Sequence, residues 1–374
     1  MLKSVVVPLV LSVIAAFVVT GYRPVSAATT HSISQINGLA NASMAYGSSA
    51  NREKISGRIF VSPNDRPFVH ANGVLTTLGP LPGFTDNQAY DVNDSGQAVG
   101  WASPFRPLGF SFAERAFVFS GGTMTQLPVL PGTGATRAFS INNAGTVTGT
   151  SGGNHPFKFN IGDAALTQLP FPAGGGGGGG AFNINTASDI VGFEYTTFPT
   201  KRPIVWDDGV TATALALPAG ATSAEASIIN DAGVIAGTAL YGTVSRGYYY
   251  DASGAPVDMG SLGPTFVVTE LFDINSSYQA VGWSWSTGMI AFTPFLYSSG
   301  TMVDLNSLLP AGSGWVLKRP ISINDAGEII GTGTFNGTPS GFKLTPIPEP
   351  AATIGIILMA LIAEPLRRRA RRKV

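Results

Sequence analysis

The stretch Asp91-Val92-Asn93-Asp94-Ser95-Gly96 sets oxygen-bearing side chains close together ahead of a glycine. That is half of a calcium loop, in which carboxylate and amide oxygens converge on a hard cation, here from Asp91, Asn93 and Asp94. Asp273-Ile274-Asn275-Ser276 repeats the first acid, but other copies of the turn are read with Ser140, Asn183, Ser227 or Ser322 where the first carboxylate would be. A turn that keeps its asparagine and glycine while dropping its acids is kept for shape, so no cofactor is assigned and calcium stays the subordinate reading. The three histidines, His31, His70 and His155, are scattered and not equivalent. With no cysteine, thiol catalysis and thiolate metal sites are excluded. No H-E-x-x-H pair and no nucleophile elbow is assigned, so no catalytic residue is named.

Two further sets recur at matching positions. Trp101 and Trp283 follow a glycine in the same context, with Trp285 beside the second. Packing in the core or between repeats is expected of them, and stacking on sugar rings is the alternative. Arg66, Arg115, Arg202 and Arg246 form either a ring of cations or a series of salt bridges.

The elements that position these residues are repeats. One reads apolar-Asn-x-x-Gly-x-x-x-Gly, with Asn93, Gly96 and Gly100; Asn142, Gly145 and Gly149; Asn230, Gly233 and Gly237; and Asn324, Gly327 and Gly331. Asn185 and Asn275 belong to copies with Ser188 and Tyr278 at the first glycine, and a degenerate copy is placed at Ile36-Asn37. The clear asparagines lie 49, 43, 45, 45 and 49 residues apart. A second element is a short aromatic run such as Arg115-Ala116-Phe117 or His155-Pro156-Phe157, mostly followed by Leu-Pro or Leu-Gly. It occurs seven times.

Asn-x-x-Gly between alternating runs predicts a hairpin in which Asn bonds backbone amides and Gly takes positive φ. Phe-x-Phe predicts a third strand, and the segment ending in Leu-Pro a fourth. Four strands per repeat of about 45 residues predicts an all-β fold, a β-propeller of seven four-stranded blades. Six blades follow if the degenerate first copy is discounted, and a stack of parallel coils is the runner-up. The last repeat lacks its fourth strand, and the chain near Thr30 to Gln35 is expected to supply it. Gly174 to Gly180 reads as a floppy surface loop.

The repeat resembles the bacterial HAF repeat of exported proteins over most of 36–345, although only His155 keeps the family's histidine. The ends agree with export. Lys3, the apolar run Val5 to Val19 and Val25-Ser26-Ala27-Ala28 have the order of a secretory signal peptide, and an uncleaved anchor is the alternative. At the other end Pro348-Glu349-Pro350, an apolar segment and the basic run Arg367 to Lys373 resemble the PEP-CTERM sorting signal. That resemblance implies recognition by an exosortase, while Glu364-Pro365 interrupts the apolar segment and a permanent tail anchor is the alternative.

The domains are therefore 1–27, a signal peptide helix; 28–346, the propeller; and 347–374, the sorting signal with its membrane helix. Between 28 and 350 there are 14 Lys and Arg against 21 Asp and Glu, which disfavours nucleic acid. The expectation is an exported cell-surface or biofilm-matrix protein of structural or interaction type. The Sec translocon and exosortase are its delivery partners, the membrane holds it before processing, and extracellular polysaccharide or surface proteins are its ligands. A propeller lyase or hydrolase acting on polysaccharide is the alternative.

Overall fold

Each of the seven aromatic runs buries one large side chain completely. Phe68, Phe117, Phe157, Ile204, Tyr248, Phe295 and Phe342 are all at 0% exposure. Each lies in the third strand of its own four-stranded sheet, and burying it contributes about 2–3 kcal/mol. In the computed structural model, which describes residues 31–39, 44–61, 64–104, 114–286 and 292–347, seven such antiparallel sheets follow one another along the chain. The chain is a seven-bladed β-propeller. Its only helix among the described residues is one short 3₁₀ turn, Leu305–Leu308.

Blade 2 shows the unit. Asp86–Val92, Ala98–Ser103, Arg115–Ser120 and Thr123–Gln126 pair in order. Core clusters join neighbouring blades, as where Val99, Ala116 and Val118 of blade 2 pack with Ile141, Val147 and Phe157 of blade 3. The leucine of Leu-Pro helps to plug the blade: Leu127 is buried and donates its N–H to the Ala116 carbonyl at 2.9 Å.

In blade 7 the strand order is Trp315–Ile323, Ile329–Phe335, Thr338–Pro346, then His31–Ile36. The start of the body thus supplies the missing outer strand, which pairs an edge that would otherwise stay open. Gln35 Nε2 donates to Ser340 Oγ at 3.1 Å across that join. Ile36-Asn37 consequently ends the outer strand of blade 7 and is not a repeat turn. The turn of blade 1 is Ser49 to Glu53, with Ser49 in the asparagine's place; its Oγ accepts from Lys54 N at 3.2 Å.

Every first strand carries a bulge at the same place. The pairing register shifts between Ala45 and Gly47, Ala89 and Asp91, Ala138 and Ser140, Ala181 and Asn183, Ala226 and Ile228, Leu271 and Asp273, and Pro320 and Ser322. A bulge bends the strand and re-aims one side chain. It also explains the second glycine of the motif, because a Cβ at Gly100 would lie 1.8 Å from the Gln88 carbonyl oxygen and one at Gly149 2.0 Å from that of Arg137.

The glycine run is no floppy loop. Gly179–Ile184 is the first strand of blade 4, Gly179 N donates to Asn154 O at 2.7 Å, and Gly176 N donates to Tyr195 O at 3.1 Å. Glycine is needed there because a Cβ on Gly176 would sit 2.2 Å from the Tyr195 carbonyl oxygen. The signal peptide, Pro348, Glu349, Pro350 and the C-terminal membrane helix lie outside the described residues.

Candidate functional site

The first strands of the blades surround a central cavity of about 810 Å³. The bulges aim a layer of side chains into it, composed of Tyr46, Tyr90, Phe139, Phe182, Ser227, Phe272 and Ile321. Four of these form a continuous aromatic arc. Tyr46 and Tyr90 stack at 4.8 Å between centroids, and Tyr90–Phe139 and Phe139–Phe182 meet edge-on at 5.8 Å each. Ser227 interrupts the girdle in blade 5. The arc leaves a signal in the sequence, an aromatic three residues before the motif asparagine at Tyr90, Phe139, Phe182 and Phe272.

At one end of the cavity lie the repeat turns. Asn93 Oδ1 accepts from Ser95 N and Gln97 N at 3.1 and 3.0 Å, and Asn142, Asn230, Asn275 and Asn324 close their turns in the same way. Asn185 accepts from Asp189 N at 2.8 Å. Gly96, Gly145, Gly233 and Gly327 all have φ between 74° and 81°. Ser188 and Tyr278, which replace glycine, are held at φ 72° and 60°.

The turn amides also reach sideways. Asn93 Nδ2 donates to Asn142 O, Asn142 Nδ2 to Asn185 O, Asn185 Nδ2 to Asn230 O, Asn230 Nδ2 to Ile274 O and Asn275 Nδ2 to Asn324 O, at 2.9–3.4 Å. Blade 1, lacking the asparagine, closes the ring differently. Arg52 Nε donates to Ser322 Oγ at 3.0 Å, and its Nη2 donates to Ile323 O at 2.7 Å and pairs with Asp273 at 3.2 Å.

The calcium candidates are used in this scaffold. Asp91 accepts from Val92 N, Ser140 Oγ and Ile141 N at 2.8, 2.7 and 3.0 Å, tying blade 2 to blade 3. Burial pushes its carboxyl up to about 6 against the pull of those donors. Asp273 makes the matching bonds to Ser322 and Ile323, and burial likewise raises it although Arg52 opposes the shift. Asp94 accepts from Asn51 N and Asn143 Nδ2 at 3.1 and 2.7 Å. Among the described residues no group of three or more His, Asp or Glu side chains is placed to hold a metal ion. In blade 5 the place of Asp91 belongs to Ile228, and Ser227 stands in the girdle instead.

Toward the other end stand Glu225, Glu270 and Arg319, from three successive blades. Glu225 pairs with Lys201, and Glu270 accepts from Trp283 Nε1 at 2.7 Å. Trp101 is buried, with the Arg137 guanidinium 4.6 Å from its ring centroid, so both tryptophans work at blade junctions. The four repeat arginines form no ring: Arg66 and Arg115 reach the carbonyls of Thr85 and Gly134, while Arg202 and Arg246 pair with Glu194 and Asp258 of their own blades.

His70 Nε2 meets Asn37 O at 2.6 Å and His155 Nδ1 meets Ser151 O at 3.2 Å, both structural contacts. Gly149-Thr150-Ser151-Gly152-Gly153 does have the spacing G-x-S-x-G. Ser151 is nonetheless fully buried within a strand, its Oγ accepting from Leu130 N at 3.2 Å and bonded to Thr133 Oγ1 at 2.6 Å. A nucleophile elbow needs an exposed hydroxyl on a strand-to-helix turn, and this serine has neither.

Fold and channel together define the class, a seven-bladed propeller with an open central cavity. Among solved structures the chain is similar to a streptogramin B lyase, with a TM-score of 0.52 and 13% identity over 86% of this chain and 99% of that one. It is similar to virginiamycin B lyase from Staphylococcus aureus, with a TM-score of 0.53 and 12% identity over 85% and 100%. A third is an oligogalacturonate lyase in complex with manganese, at 0.51 and 10% identity over 85% and 91%. At such identities the likeness is one of fold. No protein-family model matches the sequence, and no curated protein matches it.

Proposed function

We propose that this chain is an exported propeller of the cell surface or biofilm matrix that binds extracellular glycan in its central channel and does not cleave it. The observation that carries the reading is the state of the channel carboxylates. All six that line the cavity among the described residues are engaged: Asp91 and Asp273 by the next blade, Asp231 by Thr186 N, Asp325 by Ser276 N, Glu225 by Lys201 and Glu270 by Trp283. Hydrolysis of a glycosidic bond by the common two-carboxylate route needs a pair of carboxyl groups flanking that bond, and these six are instead spent on holding the blades and their neighbours. The aromatic arc lines the cavity with half-buried rings beside polar walls, a mixture of apolar and polar surface suited to sugar rings.

The rival reading, a lyase or hydrolase, draws on Asp91, whose carboxyl at about 6 lies near the range of a general acid. Glycan-array binding and polysaccharide-degradation assays on the full chain separate the two. Binding without loss of polymer length supports the proposal, and reproducible depolymerisation overturns it.

Export rests on the sequence ends and on the likeness to HAF-repeat proteins with a PEP-CTERM signal. Sec translocon and exosortase are then the delivery machinery, with Pro348, Glu349 and Pro350 as the sorting motif. Deleting 348–374 and fractionating cells tests this part, and unchanged surface delivery would end it.

A further inference from the structure

Seven blades built on one pattern let each position be compared with its counterparts. In blade 2, Gln88 pairs with Trp101, and Trp101 with Ala116. In blade 6, Glu270 pairs with Trp283, and Trp283 with Pro294. Over each tryptophan lies an arginine from the inner strand of the next blade, Arg137 over Trp101 and Arg319 over Trp283, each 4.6 Å from the ring centroid.

The two arginines differ in what meets their edges. Arg137 receives a bidentate carboxylate from Glu114, with Nε–Oε2 at 2.6 Å and Nη2–Oε1 at 2.7 Å, and that carboxylate is fully buried. Glu114 stands two residues before Ala116. Two residues before Pro294 stands Phe292, which is 55% exposed and has no charge to offer. The preceding residues 287–291, Thr-Gly-Met-Ile-Ala, add no acid.

Arg319 is otherwise held as tightly as Arg137. Its guanidinium is also 4.0 Å from the Phe272 ring and 5.6 Å from that of Tyr46. Stacking occupies the faces of a guanidinium and leaves its in-plane N–H donors to find an acceptor. Among the described residues Arg319 has no hydrogen bond or ion pair, and its Nε is shut off from solvent without a partner. Glu270 attracts it from a distance only and has already engaged Trp283 Nε1. Arg319 lines the central cavity.

We propose that the Nη end of Arg319, which is not shut off from the cavity as Nε is, receives the carboxylate of an acidic saccharide, in the role that Glu114 plays for Arg137. This rests on the glycan-binding reading and names its ligand class, an oligosaccharide containing uronic acid. Arg–carboxylate pairs of this fork geometry are both strong and orientation-specific. Glu270, as a neighbouring negative charge, weakens the site without removing it.

The test is calorimetric titration of the full chain with an oligouronate, its methyl ester and a neutral oligosaccharide of the same length. The oligouronate is expected to bind at least about tenfold more tightly than its ester, a preference of roughly 1.4 kcal/mol. Arg319→Gln is expected to abolish that preference. Phe292→Glu keeps the Arg319 side chain, gives up the ring contacts of Phe292 with Trp283 and Trp285, and supplies an internal carboxylate; it too is expected to abolish the preference. Glu270→Gln is expected to raise oligouronate affinity several-fold. Equal binding of acid and ester, or a preference that survives Arg319→Gln, overturns this inference and leaves the glycan reading standing. Failure of all three saccharides to bind overturns both.

Discussion

The side-chain amide of Asn93 donates to the backbone carbonyl of Asn142, 49 residues away in the next blade, at 3.1 Å. The same asparagine closes its own turn through Oδ1, so one residue shapes a hairpin and ties two blades together. Repeated around the cavity, these bonds give the inner ends of the blades a common polar belt where apolar packing runs out.

Asn142 tests the belt. Its Oδ1 accepts from Ala144 N and Thr146 N, and its Nδ2 donates to Asn185 O and Ser188 Oγ. Asn142→Ala strips these partners in a buried position and is expected to cost about 2–3 kcal/mol in urea unfolding. A loss below half a kilocalorie would mean that water replaces the belt freely.

The two glycines of the motif are expected to fail for different reasons. Gly233 has φ 80° and open space around it, so Gly233→Ala costs only the left-handed backbone, about 1 kcal/mol. Gly149 has ordinary φ, but a Cβ there meets the Arg137 carbonyl oxygen at 2.0 Å. Gly149→Ala must push two strands apart and is expected to cost about 3 kcal/mol. Equal losses in thermal or chemical unfolding would contradict the bulge as the reason for the second glycine.

Asp91 predicts a pH dependence. Its folded carboxyl titrates near 6, above the ordinary carboxylate value, because burial penalises the charge. Between those two values the folded chain therefore holds a proton that the unfolded chain has lost. The contribution of Asp91 to stability is greatest below the unfolded value, falls as pH rises toward 6, and is flat above it. Unfolding free energies of wild type and Asp91→Asn, compared from pH 4 to 7.5, are expected to diverge in that direction. A difference that stays constant, or grows in favour of wild type with rising pH, would contradict the assignment.

Much of the fold could be read from residue spacing, because a hairpin turn is a local event. Asn-x-x-Gly carries its own hydrogen bonds and its own positive φ, and the Phe-x-Phe run carries its own burial. The closing strand His31–Ile36 could be inferred by counting strands. The bulge could not, since it is a mismatch between two strands and leaves only an unexplained glycine such as Gly100 in the text. The turn of blade 1 is hidden in the sequence, where Ile36-Asn37 resembles the motif more closely, because Ser49 and Arg52 carry out with other side chains what asparagine and glycine do elsewhere. The channel is the least legible part in the sequence. Asp91 looked like a cation ligand because its neighbours in sequence are polar, whereas its partners, Ser140 and Ile141, come from the next blade. The vacant edge of Arg319 appears only when blades 2 and 6 are superposed by register.

The most direct test of the account is a crystal structure of the full chain with a saccharide that it binds. An intact saccharide lying in the central cavity against Tyr90 and Phe139 is the predicted result. A saccharide bound on the outer strands, or one cleaved within the cavity, would contradict it.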